Sequence, residues 1–405
     1  MALETMHKDS CMCSKSELDL FSVPPTQVVM EKGFWEDIDP ITTKIITAAG
    51  GNVGADIQVG PSNLWMHALF SQVEVFLNNK LVTPSSTAYP YRAYIETILN
   101  FSKDAKDSHL TSALFYKDKA GKMDAVNPLA QDAHVNTELK QRHAYTRESK
   151  SVAMEGRLHS DLFAQDRYIL GAVPIKIKLV RSRDPFCLVS SAEDPNFKVV
   201  IEECLYRVRR VNVAPSIILA HSQSLQQITA KYPINRIDCK VVSVPRGNKS
   251  GNQPNIFQGG LPNRIVIGMV DAGAFNGTYT KNPFNSKNYD ITTMGLTVNG
   301  ENLPGKPLQL KFGADSNYIS AFQTLYAGAH KIFDNQGNGY TLFAFDLTPD
   351  LCLGDHVQPI KNGNVSIECR FGTPLETAIN IVVLGKFQSL IEIDANRNVL
   401  CDFNN

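Results

Sequence analysis

The sequence predicts an all-β protein made of two similar sandwich or jelly-roll domains, with short helices in the connections. First, runs of β-branched and aromatic residues recur along the chain, separated by joints of Gly, Pro and Asn. Second, helical periodicity is confined to short stretches, which argues against a βαβ architecture. Third, one unit occurs twice: a hairpin, a proline stop and an aromatic helix, in Val59–Phe101 and again, more weakly, more than two hundred residues later. A length of 405 residues suits two domains of roughly 200 each.

In the first copy, Ser71–Leu77 alternates, with Val73, Val75 and Leu77 on one side and Gln72, Glu74 and Phe76 on the other, the period of a half-buried strand. Asn78-Asn79 supplies the positive φ angles of a tight turn. Lys80–Thr83 runs back until Pro84 ends it, and Tyr91, Tyr94, Ile95, Ile98 and Leu99 then follow at helical spacing. In the second copy Ile291–Val298 is the strand, Asn299-Gly300 the turn, and Glu301–Leu303 the return, stopped by Pro304; Tyr318, Phe322, Leu325 and Tyr326 form the helical stripe.

The remaining elements follow in chain order. Residues 1–15 are polar, Ser16–Phe21 fits one turn of helix, and Pro24-Pro25 forces extended backbone. Thr43–Ile46 is a short strand and Ala48–Gly54 a loop. Lys103–Lys150 is polar and poor in β-branched residues and is expected to be a surface excursion with a helical Ser112–Tyr116. Ser151–Arg157 resumes as strand and Ser160–Arg167 as a short helix. Val173–Val180 alternates, with Ile175, Ile177 and Leu179 inward and Lys176 and Lys178 outward, and Phe197–Ile201 and Leu205–Val213 are further strands. Ser216 is placed to cap a helix carrying Ile217, Leu219, Ala220 and Leu225. The expected division is therefore an N-terminal arm, 1–30; a first jelly roll, 31–215; a connecting helix, 216–231; and a second jelly roll, 232–405. In the latter, strands are expected at Ile237–Val244, Arg264–Val270, Ile291–Val298, Tyr340–Phe345, Val365–Phe371, Ala378–Phe387 and Leu390–Asp394, with turn-rich joints such as Arg246–Gly260 and Asn335–Gly339.

Composition narrows the function. A chain 43 % hydrophobic and 20 % charged can bury a core. Lys+Arg and Asp+Glu are 40 each, which disfavours wholesale neutralisation of phosphates and weakens repulsion between copies. Met1–Phe21 lacks the apolar core of a secretory signal and no run reaches membrane-spanning length, so folding in the cytosol or nucleus is expected, with the eight cysteines reduced. In that setting the sequons at Asn100, Asn248, Asn276 and Asn364 are chance matches. Cys187, Cys204, Cys239 and Cys369 lie in apolar contexts and are expected to be core residues.

No catalytic or metal-binding constellation emerges. The nine histidines form neither His-x-His nor His-Glu-x-x-His. Cys11-Met-Cys13 has no second ligand pair, and Asp334–Gly339 lacks the downstream Glu of a calcium loop. There is no nucleophile elbow and no phosphate loop. Two basic clusters, Lys176/Lys178/Arg181/Arg183 and Arg207/Arg209/Arg210, fit solvated strand faces or protected edges, with an acidic neighbour or DNA as the alternative. Trp35 and Trp65 alone make no stacking platform. No catalytic, cofactor-binding or metal site residue is therefore assigned.

Several blocks do resemble one family. Phe21–Gln27, Val59–Tyr94, Gly156–Phe163, Ile177–Arg183, Asn282–Asn285, Gly339–Asp350 and Ile391–Asp394 together look like the hexon-like major capsid protein of adintoviruses and Maverick/Polinton elements, copies of which lie integrated in animal genomes. The resemblance runs over nearly the whole chain. It implies a double jelly roll, two tandem sandwiches per chain, with three chains forming a pseudo-hexameric homotrimer that tiles an icosahedral shell. It further implies neighbouring capsomers and a penton-type minor capsid protein as partners, no enzymatic activity, no cofactor, no specific nucleic acid, no small-molecule substrate, and a place in the virion, with synthesis in the cytosol and assembly in the nucleus. Lys103–Lys150 and Arg246–Asn263 would interlock at the trimer top or seam. The chain departs from this pattern where Thr42–Gly60 is too short to carry all the strands of the first jelly roll, so an open sheet edge is expected there. The alternative readings are a cellular jelly-roll module binding carbohydrate or protein, which calls for exposed aromatics in a cleft, and an enzyme on the same scaffold, which calls for converging His and carboxylates.

Overall fold

The structure is a computed structural model that describes residues 29–36, 41–84, 86–131, 135–312, 317–329, 339–348 and 359–401. The expectations for Cys11-Met-Cys13, Ser16–Phe21, Pro24-Pro25 and Asp334–Asn338 fall outside them.

The first half holds strands β1 (Met30–Glu36), β2 (Ile41–Thr47), β3 (Val59–Pro61), β4 (Phe70–Leu77), β5 (Lys80–Leu81), β6 (Val152–Met154), β7 (Ile175–Arg181), β8 (Leu188–Ser190), β9 (Phe197–Glu203) and β10 (Val208–Val213). The second holds β11 (Ala230–Val244), β12 (Gln253–Gly260), β13 (Arg264–Asp271), β14 (Ile291–Val298), β15 (Glu301–Gln309), β16 (Leu342–Asp346), β17 (Asn362–Phe371), β18 (Ile379–Ile393) and β19 (Val399–Cys401). Among them lie α1 (Trp65–Ala68), α2 (Tyr89–Asn100), α3 (Lys103–Asp107), α4 (Thr137–Thr146), α5 (Asp184–Cys187), α6 (Pro215–Leu225), α7 (Ala272–Asn276) and α8 (Ile319–Ala329).

The second half is a complete sandwich. One sheet runs β11-β18-β13-β16, with β19 added beside β18; the other runs β12-β17-β14-β15. Eight strands exchanging between two four-stranded sheets in this order form a jelly roll. Its interior holds Ile265, Ile267, Met269, Met294, Phe343, Val365, Ile367, Cys369, Ile379, Ile381 and Val383. The first sheet is buried on its other face too: Val266, Val270, Leu342, Ala344, Val382 and Leu384 pack against the first half. That double burial explains the apolar run Ile381–Leu384, as expected of a strand covered on both sides.

The first half repeats the pairing pattern with fewer strands among the described residues. β2 pairs with β9, and β3 with β8, as β11 and β13 both pair with the single strand β18. The hairpin β4–β5 and its partner β7 reproduce β14–β15 and β17. Asn78 and Asn79 have φ 44° and 64°, and Asn299 and Gly300 have φ 51° and 90°, so both turns take the left-handed backbone that their residues allow. No described strand stands where β12 flanks β17, so the far edge of β7 is open in the sheet β5-β4-β7. A two-stranded ribbon, β1–β10, completes this half.

Several expectations require correction. Arg246–Gly260 contains β12, an edge strand whose Gly, Pro and Asn content conceals it; Asn255 has φ 53°, and the register with β17 shifts between Gln253 and Phe257. β15 does not stop at Pro304 but continues through it and Pro307, which an edge strand paired only with β14 tolerates. Ala378–Phe387 and Leu390–Asp394 are one strand, held straight by pairing with β11 along its whole length. α6 is capped by Ala214 with Pro215 in its first turn, not by Ser216, and it buries none of its residues. Of the α8 stripe, Leu325 is buried and Tyr326 is exposed.

Candidate functional site

The region that fixes the shape of the molecule is the seam between the two halves, built around α2. Pro90 opens this helix, and ten of its residues, Tyr89–Ile95 and Thr97–Leu99, are buried. A helix buried nearly all round needs partners on several sides. The first half supplies β4 and Phe186, and the second supplies Phe275 and Phe284. Tyr91 stacks on Phe275 with centroids 5.1 Å apart, and Tyr94 on Phe284 at 4.4 Å. Phe186 meets Phe284 edge-on at 5.9 Å. Where α2 faces β13 and β18, an apolar void of about 20 Å³ remains, room for no more than one water.

Beside the aromatic seam lies a buried polar clamp centred on Asp118. Its Oδ1 accepts from Arg142 Nη1 at 2.9 Å and from Asn136 Nδ2 at 2.9 Å. Its Oδ2 accepts from Asn63 Nδ2 at 3.3 Å and from Asn282 Nδ2 at 3.1 Å. Tyr340 Oη donates to the Asp118 backbone carbonyl at 2.6 Å. Arg142 spends its other donors on the carbonyls of Pro61 and Tyr116, at 3.1 and 3.2 Å. Asn282 and Tyr340 belong to the second half, so this one carboxylate ties the halves together. The segment 103–150 is accordingly not a surface excursion: Asp118, Asn136, Leu139, Arg142 and His143 within it are buried, because the polar residues that looked solvated satisfy one another inside the chain.

A second cluster lies on another face of α2. Glu96 accepts from Arg92 Nε at 2.9 Å and from His159 Nδ1 at 2.5 Å. Arg92 Nη2 also donates to Asp161 Oδ1 at 2.5 Å, and that oxygen accepts the Ile237 N–H of β11 at 3.2 Å. His67 Nδ1 lies 2.8 Å from Tyr89 Oη, and its ring meets that of His159 edge-on at 4.9 Å. Burial raises the Glu96 carboxyl, but the Arg92 charge and the bonds from His159 and Arg92 outweigh it and hold the group at about 2. Burial pushes Asp161 up despite Arg92, and burial followed by the charge of His159 pushes His67 well below 6.5. Both Glu96 oxygens and the Arg92 Nε and Nη2 groups are engaged within the cluster. Chemically it can position α2 against β11. Among the described residues no group of three or more His, Cys, Asp or Glu is arranged to hold a metal.

This cluster forms part of the wall of a cleft of about 2680 Å³. β7, the β1–β10 ribbon, the segment 154–172, α6 and second-half residues such as Arg264, Lys386 and Arg397 also line it. Phe34, Trp35 and Tyr168 are exposed aromatics along it, and sequence reading missed them because nothing local marks them as neighbours.

The basic clusters are engaged mainly with their own surroundings. Lys178 pairs with Glu74 at 3.0 Å, Arg181 with Asp184 at 2.8 Å and Arg207 with Glu155 at 2.7 Å. The Arg209 guanidinium lies over the Trp35 ring at 5.6 Å, and Lys176 Nζ over the Phe76 ring at 5.7 Å. Trp65 is fully buried, whereas Trp35 is 56 % exposed. Cys187, Cys239 and Cys369 are core residues, and burial pushes Cys239 up to about 12 and Cys369 up to about 11. Cys204 is exposed instead, since it lies just beyond β9, where the chain turns over the cleft.

No family model matches the sequence. The chain is similar to the uncharacterized protein F54H12.2 of Caenorhabditis elegans, at 22 % identity over 358 residues, covering 84 % of this chain and 81 % of that one. In three dimensions it is similar to a chain of the Sputnik virophage, with a TM-score of 0.61 at 10 % identity, covering all of this chain and 95 % of the other. It is also similar to a chain of the PBCV-1 virus capsid, with a TM-score of 0.50 at 11 % identity, covering 94 % of each. The fold is a double jelly roll. At such identities the likeness speaks for the architecture alone, and within it the seam is where the two jelly rolls of one chain are held in register.

Proposed function

We propose that the protein is a major capsid protein: a structural brick, without enzymatic activity, whose copies form pseudo-hexameric homotrimers in an icosahedral shell. The observation that carries this reading is the seam. Two jelly rolls locked side by side by aromatic stacking and by a buried carboxylate with four side-chain donors give a rigid unit with two similar lobes. Three such chains under threefold symmetry present six similar corners, which pack hexagonally. The shared architecture with a chain of the PBCV-1 virus capsid supports the same reading. In it, residues 1–30 are the arm, 31–215 and 232–405 the two jelly rolls, and 216–231 the connection. The partners are further copies, neighbouring capsomers and a penton-type minor capsid protein, and the destination is a virion assembled in the nucleus after synthesis in the cytosol. The resemblance to adintoviruses and Maverick/Polinton elements makes it an endogenous viral element, and the similarity to a nematode chain is in keeping with that origin.

Size-exclusion chromatography with light scattering tests the proposal. A stable species of three times the 44.8 kDa chain is expected, and a monomer at every concentration would overturn it. The cellular binding-module reading draws on Phe34, Trp35 and Tyr168 at the cleft, and it is the reading a persistent monomer would favour.

A further inference from the structure

Two sets of directional bonds cross the seam, and they differ in one chemical respect. The Asp118 clamp reaches the second half through Asn282 and Tyr340 and contains no imidazole. The Arg92 cluster reaches it through Asp161, whose Oδ1 accepts the Ile237 N–H of β11, and contains two imidazoles, His67 and His159. The two sets lie on different faces of α2. Arg92 is about 200° of helical rotation from Tyr94, which stacks on Phe284 close to Asn282 in the chain.

His67 is held by a neutral partner. It is 3 % exposed, its Nδ1 lies 2.8 Å from Tyr89 Oη, and the edge of the His159 ring is 4.9 Å away. Glu96 is the carboxylate whose charge attracts a proton to it. One Glu96 oxygen accepts from Arg92 at 2.9 Å and the other from His159 at 2.5 Å, so a proton on His67 finds no spare oxygen there. The added charge stands beside His159 and Arg92, or it takes Glu96 from one of them. The other elements packed on α1 offer no substitute. Glu74 of β4 is paired with Lys178 at 3.0 Å and Asp184 of α5 with Arg181 at 2.8 Å, while His109 lies against the Phe101 ring, with centroids 6.1 Å apart. Arg157, close to His159 in the chain, donates to the Phe163 carbonyl.

We infer that the seam is an acid-operated hinge: a proton on His67 breaks the Arg92–Asp161–Ile237 chain and frees the first half from β11 there, while the Asp118 clamp and the aromatic stacks stay closed and act as the pivot. One oxygen, Asp161 Oδ1, holds both Arg92 Nη2 and the Ile237 N–H, so a shift of Arg92 is felt directly at β11. Burial, then the charge of His159, holds His67 well below 6.5. The closed joint therefore excludes the proton, and an open joint, where the imidazole meets water, admits it. Opening gains up to about tenfold for each pH unit below 6.5. The carboxylates do not drive it. Glu96, held at about 2, keeps its charge through that range, and Asp161, pushed up by burial, binds a proton more readily closed than open. His143 is also held low by burial, but its Nδ1 lies 2.7 Å from the Val59 carbonyl oxygen, within the first half, so its protonation breaks no bond across the seam. The inference concerns the seam inside one chain and does not require the coat reading.

The test is amide hydrogen exchange on the full-length protein between pH 7 and pH 5, corrected for the intrinsic pH dependence of exchange. The reporters are two amides that bond side chains across the seam: the Ile237 N–H to Asp161 Oδ1, and the Asn282 N–H to Asp124 Oδ1 at 3.2 Å. Protection at Ile237 is expected to fall by up to about thirtyfold at pH 5, while Asn282 changes by less than about twofold and Val383, inside the second sandwich, stays protected. In His67→Gln, protection at Ile237 should no longer depend on pH, and His143→Gln should leave the natural response in place. Unchanged protection at Ile237 at pH 5 would overturn the inference. So would a parallel loss at Asn282, because the seam would then open as a whole, and so would a response that persists in His67→Gln. If His67→Gln does not fold, the contrast between Ile237 and Asn282 in the natural sequence decides alone.

Discussion

Replacing Asp118 by Ala should be the most damaging single change at the seam. It removes the acceptor for the buried Arg142 guanidinium, 2.9 Å away, and for the side-chain amides of Asn63, Asn136 and Asn282. Breaking a buried ion pair on one side costs about 3–5 kcal/mol, because a charge stays behind without its partner. Each amide left without an acceptor adds on the order of 1 kcal/mol, though these terms share a site and do not simply sum. A loss of about 4 kcal/mol or more is expected, a large part of the ~5–15 kcal/mol typical of whole proteins. Asp118→Asn is the informative companion: it keeps shape and one acceptor oxygen but leaves Arg142 uncompensated. Tyr340→Phe removes one bond across the seam and should cost about 1 kcal/mol. Urea unfolding followed by the fluorescence of the buried Trp65 measures all three. A cost below about 1 kcal/mol for Asp118→Ala, or a larger cost for Tyr340→Phe than for Asp118→Ala, would refute the view that this carboxylate is the fastener between the halves.

Asn79→Val should lower the yield of soluble, assembled protein, because a β-branched residue resists the φ of 64° found there, at a cost of about 1–2 kcal/mol; Asn79→Gly should not, and a comparison of the two by gel filtration decides it. Stability should fall as pH drops below 6.5, because burial keeps His67 neutral in the folded chain while the unfolded chain takes up a proton there. The slope approaches about 1.4 kcal/mol per pH unit, and His67→Gln should flatten it in urea midpoints measured between pH 7 and pH 5. Further down, between the ordinary 4.5 of a glutamate and its folded value of about 2, protonation of Glu96 removes additional stability, and Glu96→Gln should abolish that part of the acid transition. Expressed separately, residues 226–405 should give a cooperative thermal transition and residues 29–215 should not, as circular dichroism would report.

What could be read in the sequence was what is local. β14 has the limits its alternation suggests, β4 begins one residue early, and both Asn turns adopt the backbone their residues favour. β12 was hidden because its Gly, Pro and Asn, which signal a turn in isolation, are tolerated on an edge strand held by β17 alone. The seam was hidden for a different reason. Asn63, Asp118, Asn136, Arg142, Asn282 and Tyr340 include bonded pairs up to 222 residues apart, and each alone looks like a solvated polar or loop residue. Only the fold makes them neighbours, and no periodicity records it. The short Thr42–Gly60 pointed to an open sheet edge, and among the described residues β7 has one, but the cleft with its aromatic rim depends on where β1, β7 and β10 come together.

The two jelly rolls are not equivalent in what holds them up. Among the described residues the core inside the second sandwich draws on residues from Val242 onward, so that lobe closes on itself. The core of the first half includes Tyr232, Ile234, Val266, Val382, Leu384 and Ile391, residues of the other lobe. Among the described residues the first half has one strand fewer in the sheet β5-β4-β7, and the outer face of β11-β18-β13-β16 supplies part of the wall of its core. The dependence also explains why the polar clamp and the Arg92–Asp161 cluster both straddle the seam. A lobe that borrows its core must be held in one register, and directional, charge-assisted bonds set that register where apolar contacts alone would allow sliding. Directional bonds at both ends of the shared core thus fix how the first half sits on the outer face of β11-β18-β13-β16.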